Sequence, residues 1–153
     1  VMPALNKYEY SEDSYWPSTF ETIEDESILQ WLENNLHLIP LDPRQQDYDV
    51  LANTKISTEG AKALADAAIG CWTSIQEKNI EKFGQYFLDS FHAQIAMFPN
   101  MLDSITAEMI EKYKHLAHGY KLSGAGGGGY LILVSETPIE NAIQIKIRRR
   151  SLN

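Results

Sequence analysis

Cysteine, long apolar runs and positive charge are all scarce in this chain of 153 residues. Cys71 is the single cysteine, so no internal disulfide can form, and a reducing compartment, the cytoplasm, is expected. No apolar run approaches the roughly 18 residues that a membrane-spanning helix needs, and no basic-then-apolar leader opens the chain. Val1 is followed at once by complex sequence, which predicts that an upstream segment has been removed.

The shortage of positive charge limits the partners of the chain. Lysine and arginine number 13 against 21 aspartates and glutamates, which gives a net charge of −8. A domain this acidic is not expected to attract nucleic acid or an anionic membrane through its overall field. Any phosphate ligand must therefore be held by local groups. The length predicts one self-sufficient hydrophobic core.

Three amphipathic helices are predicted in the middle of the chain. Ser57 can cap the first, whose apolar residues recur at spacings of three and four. A second apolar stripe begins at Ile80 and ends before Pro99, because the residue before a proline is pushed away from helical dihedrals. Asp103 can cap the third helix, and Gly119 is expected to stop it.

The segments before these helices give weaker signals. Residues 1–20 are rich in tyrosine and acidic side chains without a clean period, which predicts extended or loop structure. Thr22 and Asp25 form a capping-box pattern that predicts the start of a helix. Residues 36–41 are expected to form a short strand, and Pro43 can open a further helical turn.

In the last third of the chain the spacing of apolar residues changes from a helical to a strand-like pattern. Residues 130–134 form a continuous apolar run, as in a strand covered on both faces. Isoleucines alternate with polar residues over 143–147, as in a strand with one face in water. A block of helices followed by short strands predicts an α+β fold with a small antiparallel sheet and helices on one face. We expect an extended, interdomain segment over 1–22 and one domain over 23–153.

The most informative segment is a glycine-rich loop between two predicted strands. Five of the six residues over 124–129 are glycine, the residue that costs most conformational entropy to order. Backbone N–H groups freed by positive φ angles can converge on phosphate oxygens, so an acidic domain can bind ATP through such a loop. A tight hairpin without a ligand is the alternative, although a hairpin needs only one or two glycines.

Other glycine-rich motifs fit these surroundings poorly. The loop satisfies the dinucleotide pattern G-x-G-x-x-G, but a strand follows it, and Arg149 stands near the position that an acidic residue would occupy. Tyr130 follows the loop where a P-loop has lysine and then serine or threonine. The HRD and DFG elements of protein kinases do not occur in the chain.

The run from Lys121 to Leu131 resembles the third signature motif of GHMP kinases, whose C-terminal domains carry this loop between strands. The resemblance extends upstream. Residues 36–41 followed by Arg44 look like the strand and arginine that precede the helical block in heptose and fucose kinases, and residues 63–98 are similar to the helices of that branch. Residues 6–17 and 43–48 look most like L-fucokinase, including the kinase half of bifunctional fucokinase/GDP-fucose pyrophosphorylases.

The resemblance implies a ferredoxin-like α+β fold, that of the GHMP kinase C-terminal domain. It implies that the loop approaches the nucleotide phosphates and the sugar from one side of an interdomain cleft. The residues to which it assigns nucleotide binding are Lys121, Ser123, Gly124, Ala125, Gly126, Gly127, Gly128 and Gly129. The implied cofactors are ATP and Mg²⁺, held mainly by an N-terminal GHMP kinase domain, which is the implied partner.

The family places its other phosphate loop, and usually its catalytic aspartate, in that N-terminal domain, and neither motif occurs here. The chain is therefore expected to be the C-terminal half of an ATP-dependent sugar kinase, L-fucokinase-like and acting on the anomeric hydroxyl, that is inactive alone. The alternative is a non-catalytic nucleotide- or protein-binding module with the same fold.

Several other side chains are candidates with two interpretations each. Arg44 can contact an anion or the substrate, or it can pair with a neighbouring aspartate. Glu111, His115 and His118 share a helix face with spacing that suits a metal, but a solvated face is favoured. Cys71 has no neighbouring histidine base, which favours a buried thiol over a nucleophile.

The ends of the chain carry two further sets. The aromatic residues near the start can stack on a sugar, but packing between domains is favoured; they are Tyr8, Tyr10, Tyr15 and Trp16. The basic run at 148–150 is expected to be a solvated tail.

Overall fold

The structure is a computed structural model that describes residues 4–43, 48–124 and 128–150. These residues form six strands and four α-helices, and three of the helices follow one another between the third and fourth strands. The strands are β1 Leu5–Tyr10, β2 Pro17–Ile23, β3 Leu36–Pro40, β4 Gly119–Leu122, β5 Tyr130–Val134 and β6 Ile143–Gln144. The helices are α1 Glu26–Asn35, α2 Thr58–Gln76, α3 Ile80–Met97 and α4 Ser104–Tyr113, with single 3₁₀ turns at Pro99–Met101 and Lys114–Leu116.

The central sheet is antiparallel with the strand order β4-β5-β3-β6. Strand β3 leads through the helical block to β4, and β5 returns between them. This order is that of a split β-α-β unit, so the α+β class is confirmed. Because β4 and β5 are neighbours joined directly by residues 123–129, the glycine-rich loop lies at one end of a hairpin inside the sheet.

Successive residues of β5 enter two different apolar clusters, because side chains alternate across a strand. Leu133 is fully buried with Phe91 and with Ile110 of α4. Val134, the next residue, is fully buried with Phe83 and other side chains of α1, α2 and α3. The strand is therefore covered on both faces, as its continuous apolar run predicts.

Helix α3 and strand β4 meet at two glycines. A Cβ atom on Gly119 would overlap the carbonyl oxygen of Gly84, and one on Gly84 would overlap His118. The two backbones are therefore in direct contact at this point, which no other residue type permits.

Two of the predicted helix starts are confirmed by capping hydrogen bonds. The side chain of Ser57 accepts from the Gly60 amide at 3.0 Å, and that of Asp103 accepts from the Thr106 amide at 2.7 Å. Helix α3 ends at Met97, two residues before Pro99. The start of α1 is displaced from the prediction. Its cap is Asp25, which accepts from the amides of residues 27 and 28, because Thr22 belongs to β2.

Other predictions are wrong in position or length. Residues 5–23, expected to be extended or loop structure, are extended strands, but their pairing in an antiparallel hairpin of β1 and β2 was not predicted. The helical turn expected from Pro43 falls largely on residues 44–47, which lie outside the described residues, while residues 48–57 form turns and irregular chain. Helix α4 ends at Tyr113, so Gly119 begins β4 instead of stopping the helix. Strand β6 covers only two residues of the predicted 143–147.

The basic run at 148–150 is not a solvated tail, because Arg149 is held by two carboxylates. Its guanidinium donates to Glu26 at 2.6 and 2.7 Å and to Glu33 at 2.6 Å. Glu33 lies on the buried side of α1, its side chain is 5% exposed, and it also accepts from the Ile147 amide at 2.6 Å. We call Glu26, Glu33 and Arg149 the carboxylate clamp; it fixes the last described residues against α1.

Candidate functional site

The glycine-rich loop is anchored at both ends by backbone hydrogen bonds. The Ser123 amide donates to the Tyr130 carbonyl at 2.9 Å, which closes the hairpin of β4 and β5. The Leu41 amide, just beyond β3, donates to the Gly129 carbonyl at 2.9 Å. The loop therefore leaves the sheet from a fixed base, and the Ser123 amide is already used within the hairpin.

The described glycines of the loop adopt conformations that favour glycine. Gly124, Gly128 and Gly129 have φ angles of 75°, 152° and 91°. A Cβ atom on Gly124 would meet nothing within 4 Å, so the space beside this residue is open. The left-handed backbone, and not crowding, therefore selects glycine at position 124.

Four of the nine residues singled out from the sequence lie outside the described part of the chain. They are Arg44, Ala125, Gly126 and Gly127. The other five, Lys121, Ser123, Gly124, Gly128 and Gly129, lie on the end of β4, in the described ends of the loop or directly before β5.

A cavity of about 610 Å³ opens beside the first end of the loop. We call it the Lys121 cavity. It brings together Lys121, Ser123 and Gly124 with side chains of β1, α2 and α3 that are distant in sequence. Its walls include the apolar side chains of Trp72, Phe87 and Ile132. Lys121 pairs with Ile132 across β4 and β5, so both side chains lie on the face of the sheet that forms the floor.

Lys121 is half-buried in this cavity with one polar contact. Its ammonium donates to the Ser90 hydroxyl of α3 at 2.5 Å. Among the described residues, no carboxylate lies within ion-pair distance of its Nζ atom. Burial lowers the pKa of Lys121 below its ordinary value, because desolvation disfavours the charged form.

Cys71 of α2 lines the same cavity and is half-buried. Desolvation raises the pKa of its thiol to about 11. The nearby positive charge of Lys121 opposes this shift but does not reverse it. The thiol is therefore protonated at neutral pH and unreactive, in agreement with its interpretation as a buried thiol.

A smaller cavity of about 170 Å³ lies at the other end of the loop. Gly128 lines it together with Asp42, Tyr48 and the first turn of α4. The carboxylate of Asp103 is also in its wall and is used to cap α4. Two carboxylates make this end of the loop less suited to an anion than the Lys121 end.

The remaining candidates are placed as follows. Within residues 4–43, 48–124 and 128–150, no three histidine, cysteine or acidic side chains are arranged to hold a metal ion. Glu111 pairs with Lys114 at 2.7 Å, and His118 lies 3.7 Å from Glu136. No helix in the described part of the chain is long and apolar enough to cross a bilayer.

Aromatic side chains crowd the surface of the hairpin formed by β1 and β2. Tyr15 is 100% exposed and Trp16 is 81% exposed at its tip. Tyr10 and Phe20 are also exposed on its strands. This is a concentrated apolar surface at the start of the chain.

Sequence reasoning missed Ser90 and Trp72 as parts of the site. Ser90 is buried on α3 and lies 31 positions before Lys121, so only the packing of α3 on β4 brings the two together. A small polar residue among the apolar positions of α3 was the available signal.

Comparisons with known proteins give a fold and no close relative. No protein-family model matches the sequence. No curated protein matches it either. Among solved structures, a crystal structure of mevalonate kinase has a TM-score of 0.58 and 22% identity, over 76% of this chain and 37% of that chain. The mevalonate kinase of Methanococcus jannaschii has a TM-score of 0.45 and 21% identity, over 76% of this chain and 37% of that chain.

At this level of identity the first match shows a shared fold alone. It confirms the fold that the resemblance to GHMP kinases implies. The chain spans little more than a third of the length of these solved structures.

Proposed function

We propose that this chain is the C-terminal half of an ATP-dependent sugar kinase of the L-fucokinase type, which phosphorylates a sugar at its anomeric hydroxyl in the cytoplasm. One observation carries the proposal. The glycine-rich loop joins β4 and β5 in a fold that mevalonate kinase shares over 76% of this chain. We assign the second phosphate loop, the Mg²⁺ ligands and the catalytic base to an N-terminal kinase domain that acts as the partner.

The described ends of the loop suit phosphate groups. Open space beside Gly124 lets a ligand approach the backbone closely, and the positive φ angles turn successive amides in directions that can converge. The Ser123 amide is already used, so its hydroxyl is the donor that this residue offers. Lys121 supplies positive charge beside this end of the loop. In kinases of this kind Mg²⁺ bridges the phosphates while the protein positions them.

Two further parts of the proposal concern substrate and partner. Arg44 is proposed to contact the sugar or an anion, as its position after β3 suggests by resemblance. Residues 1–22 are proposed to lie between the domains, which would bury the exposed Tyr15 and Trp16 of the hairpin.

The test uses the full reading frame that contains this chain. With ATP, Mg²⁺ and L-fucose, we expect a sugar 1-phosphate to be detected by phosphorus NMR. Gly124→Val should lower kcat/KM by about a hundredfold, since displacement of a positioning loop is costly. Asn141→Val is the matched control, because Asn141 also has a positive φ, 62°, but lies in an exposed turn.

Equal losses in both variants would mean that backbone strain, and not the loop, lowers activity. Wild-type turnover in Gly124→Val would contradict the role of the loop. Binding of ATP without phosphorylation of any sugar would instead support the non-catalytic module.

A further inference from the structure

The charge of the Lys121 cavity is opposite to that of the chain as a whole. The chain carries a net charge of −8, yet among the described residues that line the cavity both charged side chains are lysines, Lys7 and Lys121. Lys7 is neutralised by ion pairs with Glu9 and Glu21. Among the described residues, the polar partner of Lys121 is the hydroxyl of Ser90. Within the part of the chain that the structure describes, the cavity therefore carries one half-buried positive charge that no carboxylate pairs.

Keeping this charge is unfavourable for the protein alone. A half-buried ammonium loses hydration, and a single neutral acceptor restores only part of it. An ammonium has three donors, so two remain for a ligand. A methionine or leucine at this position would fill the same space without the desolvation cost.

The rest of the cavity is mostly apolar and large enough for a small molecule. Its volume of about 610 Å³ lies in the range of about 300–1,000 Å³ that is usual for ligand sites. Trp72, Phe87 and Ile132 provide apolar walls near the Lys121 ammonium.

We propose that the Lys121 cavity binds a small amphipathic anion, with a carboxylate or phosphate head on the Lys121 ammonium and an apolar body between α2, α3 and β5. The head would lie beside Ser123 and Gly124, so binding would affect the first end of the glycine-rich loop. The site does not depend on the proposed kinase activity, because its test measures binding to the 153-residue chain alone.

The probes separate the head from the body. Octanoate and octyl phosphate carry both parts, octanamide lacks the charge, and inorganic phosphate lacks the apolar body. Binding is followed by the NMR signal of the Trp72 indole N–H, assigned with Trp72→Phe. We expect one of the two amphipathic anions to shift this signal saturably. Octanamide should bind about tenfold or more weakly, as expected for loss of a charge-assisted hydrogen bond.

Three variants test the role of the ammonium. Lys121→Met should weaken binding about as much as the change to octanamide does, and Lys121→Arg should retain most of it because the cation remains. Lys62→Met is the matched control, since Lys62 is an exposed lysine that pairs with Asp66 outside the cavity. Lys62→Met should leave binding unchanged. An unchanged pattern of backbone NMR signals shows that each variant is folded.

Several results would overturn the proposal. One is the absence of saturable binding by either amphipathic anion. Another is equal binding of octanamide and octanoate, which would make the cavity merely apolar. A third is inorganic phosphate that binds as tightly as octyl phosphate, which would reduce the site to a simple anion contact.

Discussion

Arg149 and Lys121 are two cations of the same domain in opposite electrostatic settings. Arg149 is held in the carboxylate clamp, and its hydrogen bonds with Glu26 and Glu33 raise its pKa above the ordinary value. Lys121 is more deeply enclosed, has one hydroxyl partner, and has its pKa lowered by desolvation. The first arrangement is complete without a ligand and acts in folding. The second is incomplete, and incomplete charged sites are where binding is expected.

The largest effect should come from removing the carboxylate at the centre of the clamp. Glu33→Ala leaves the Ile147 amide and the Arg149 guanidinium without a shared acceptor. We expect the free energy of unfolding to fall by roughly 2 kcal/mol, because buried donors that lose their partner pay the desolvation cost. Urea unfolding at pH 7 of the wild type and Glu33→Ala measures this change in free energy. Glu108→Ala on exposed α4 surface is the control, and an equal loss there would remove the distinction between clamp and surface.

A smaller effect should appear as the pH is lowered. The Arg149 side chain, followed by the Ile147 amide, holds the pKa of Glu33 below its ordinary value of 4.5. The stability from Glu33 is therefore fully present above about pH 4.5 and is lost as the pH falls through the lowered pKa. The gap in unfolding free energy between the wild type and Glu33→Gln should narrow between pH 5 and pH 2.5. A constant difference over that range would contradict the contribution of ionised Glu33 to stability.

The smallest effect on stability should come from the unpaired cation. Lys121→Met removes a half-buried charge that no described carboxylate pairs, and the Ser90 hydroxyl can turn to a carbonyl of its own helix. The unfolding free energy should change by less than about 1 kcal/mol, and in the stabilising direction. Urea unfolding measures this change. A large destabilisation would make Lys121 a structural residue like Arg149 and would remove the contrast.

The elements with local signals could be predicted from the sequence. The capping residues Ser57 and Asp103, the proline after α3 and the apolar run of β5 each act within a few residues, so the pattern contains the cause. The hairpin of β1 and β2 was missed because its exposed aromatic residues show no alternation of buried and polar positions.

The two charged sites could be predicted only in part. The glycine-rich loop identified Lys121 and Ser123, because a motif is contiguous. The partners of Lys121 and Arg149 are not contiguous: Ser90 is 31 positions from Lys121, and Glu33 is 116 positions from Arg149. These contacts are set by how α3 packs on β4 and how the last residues pack on α1. A single sequence does not specify that packing locally, which is why the basic run was wrongly expected to be solvated.

The contact of Gly84 with Gly119 has a mechanical consequence for the Lys121 cavity. At that point the distance between α3 and β4 is set by backbone against backbone, so the helix cannot move closer to the strand. Further along the same helix, Ser90 and Phe87 line the Lys121 cavity. The helix is thus fixed against the strand close to the residues that line the cavity. A bulkier side chain at position 119 would push α3 away from β4. It would thereby change the width of the Lys121 cavity without contacting any residue that lines it.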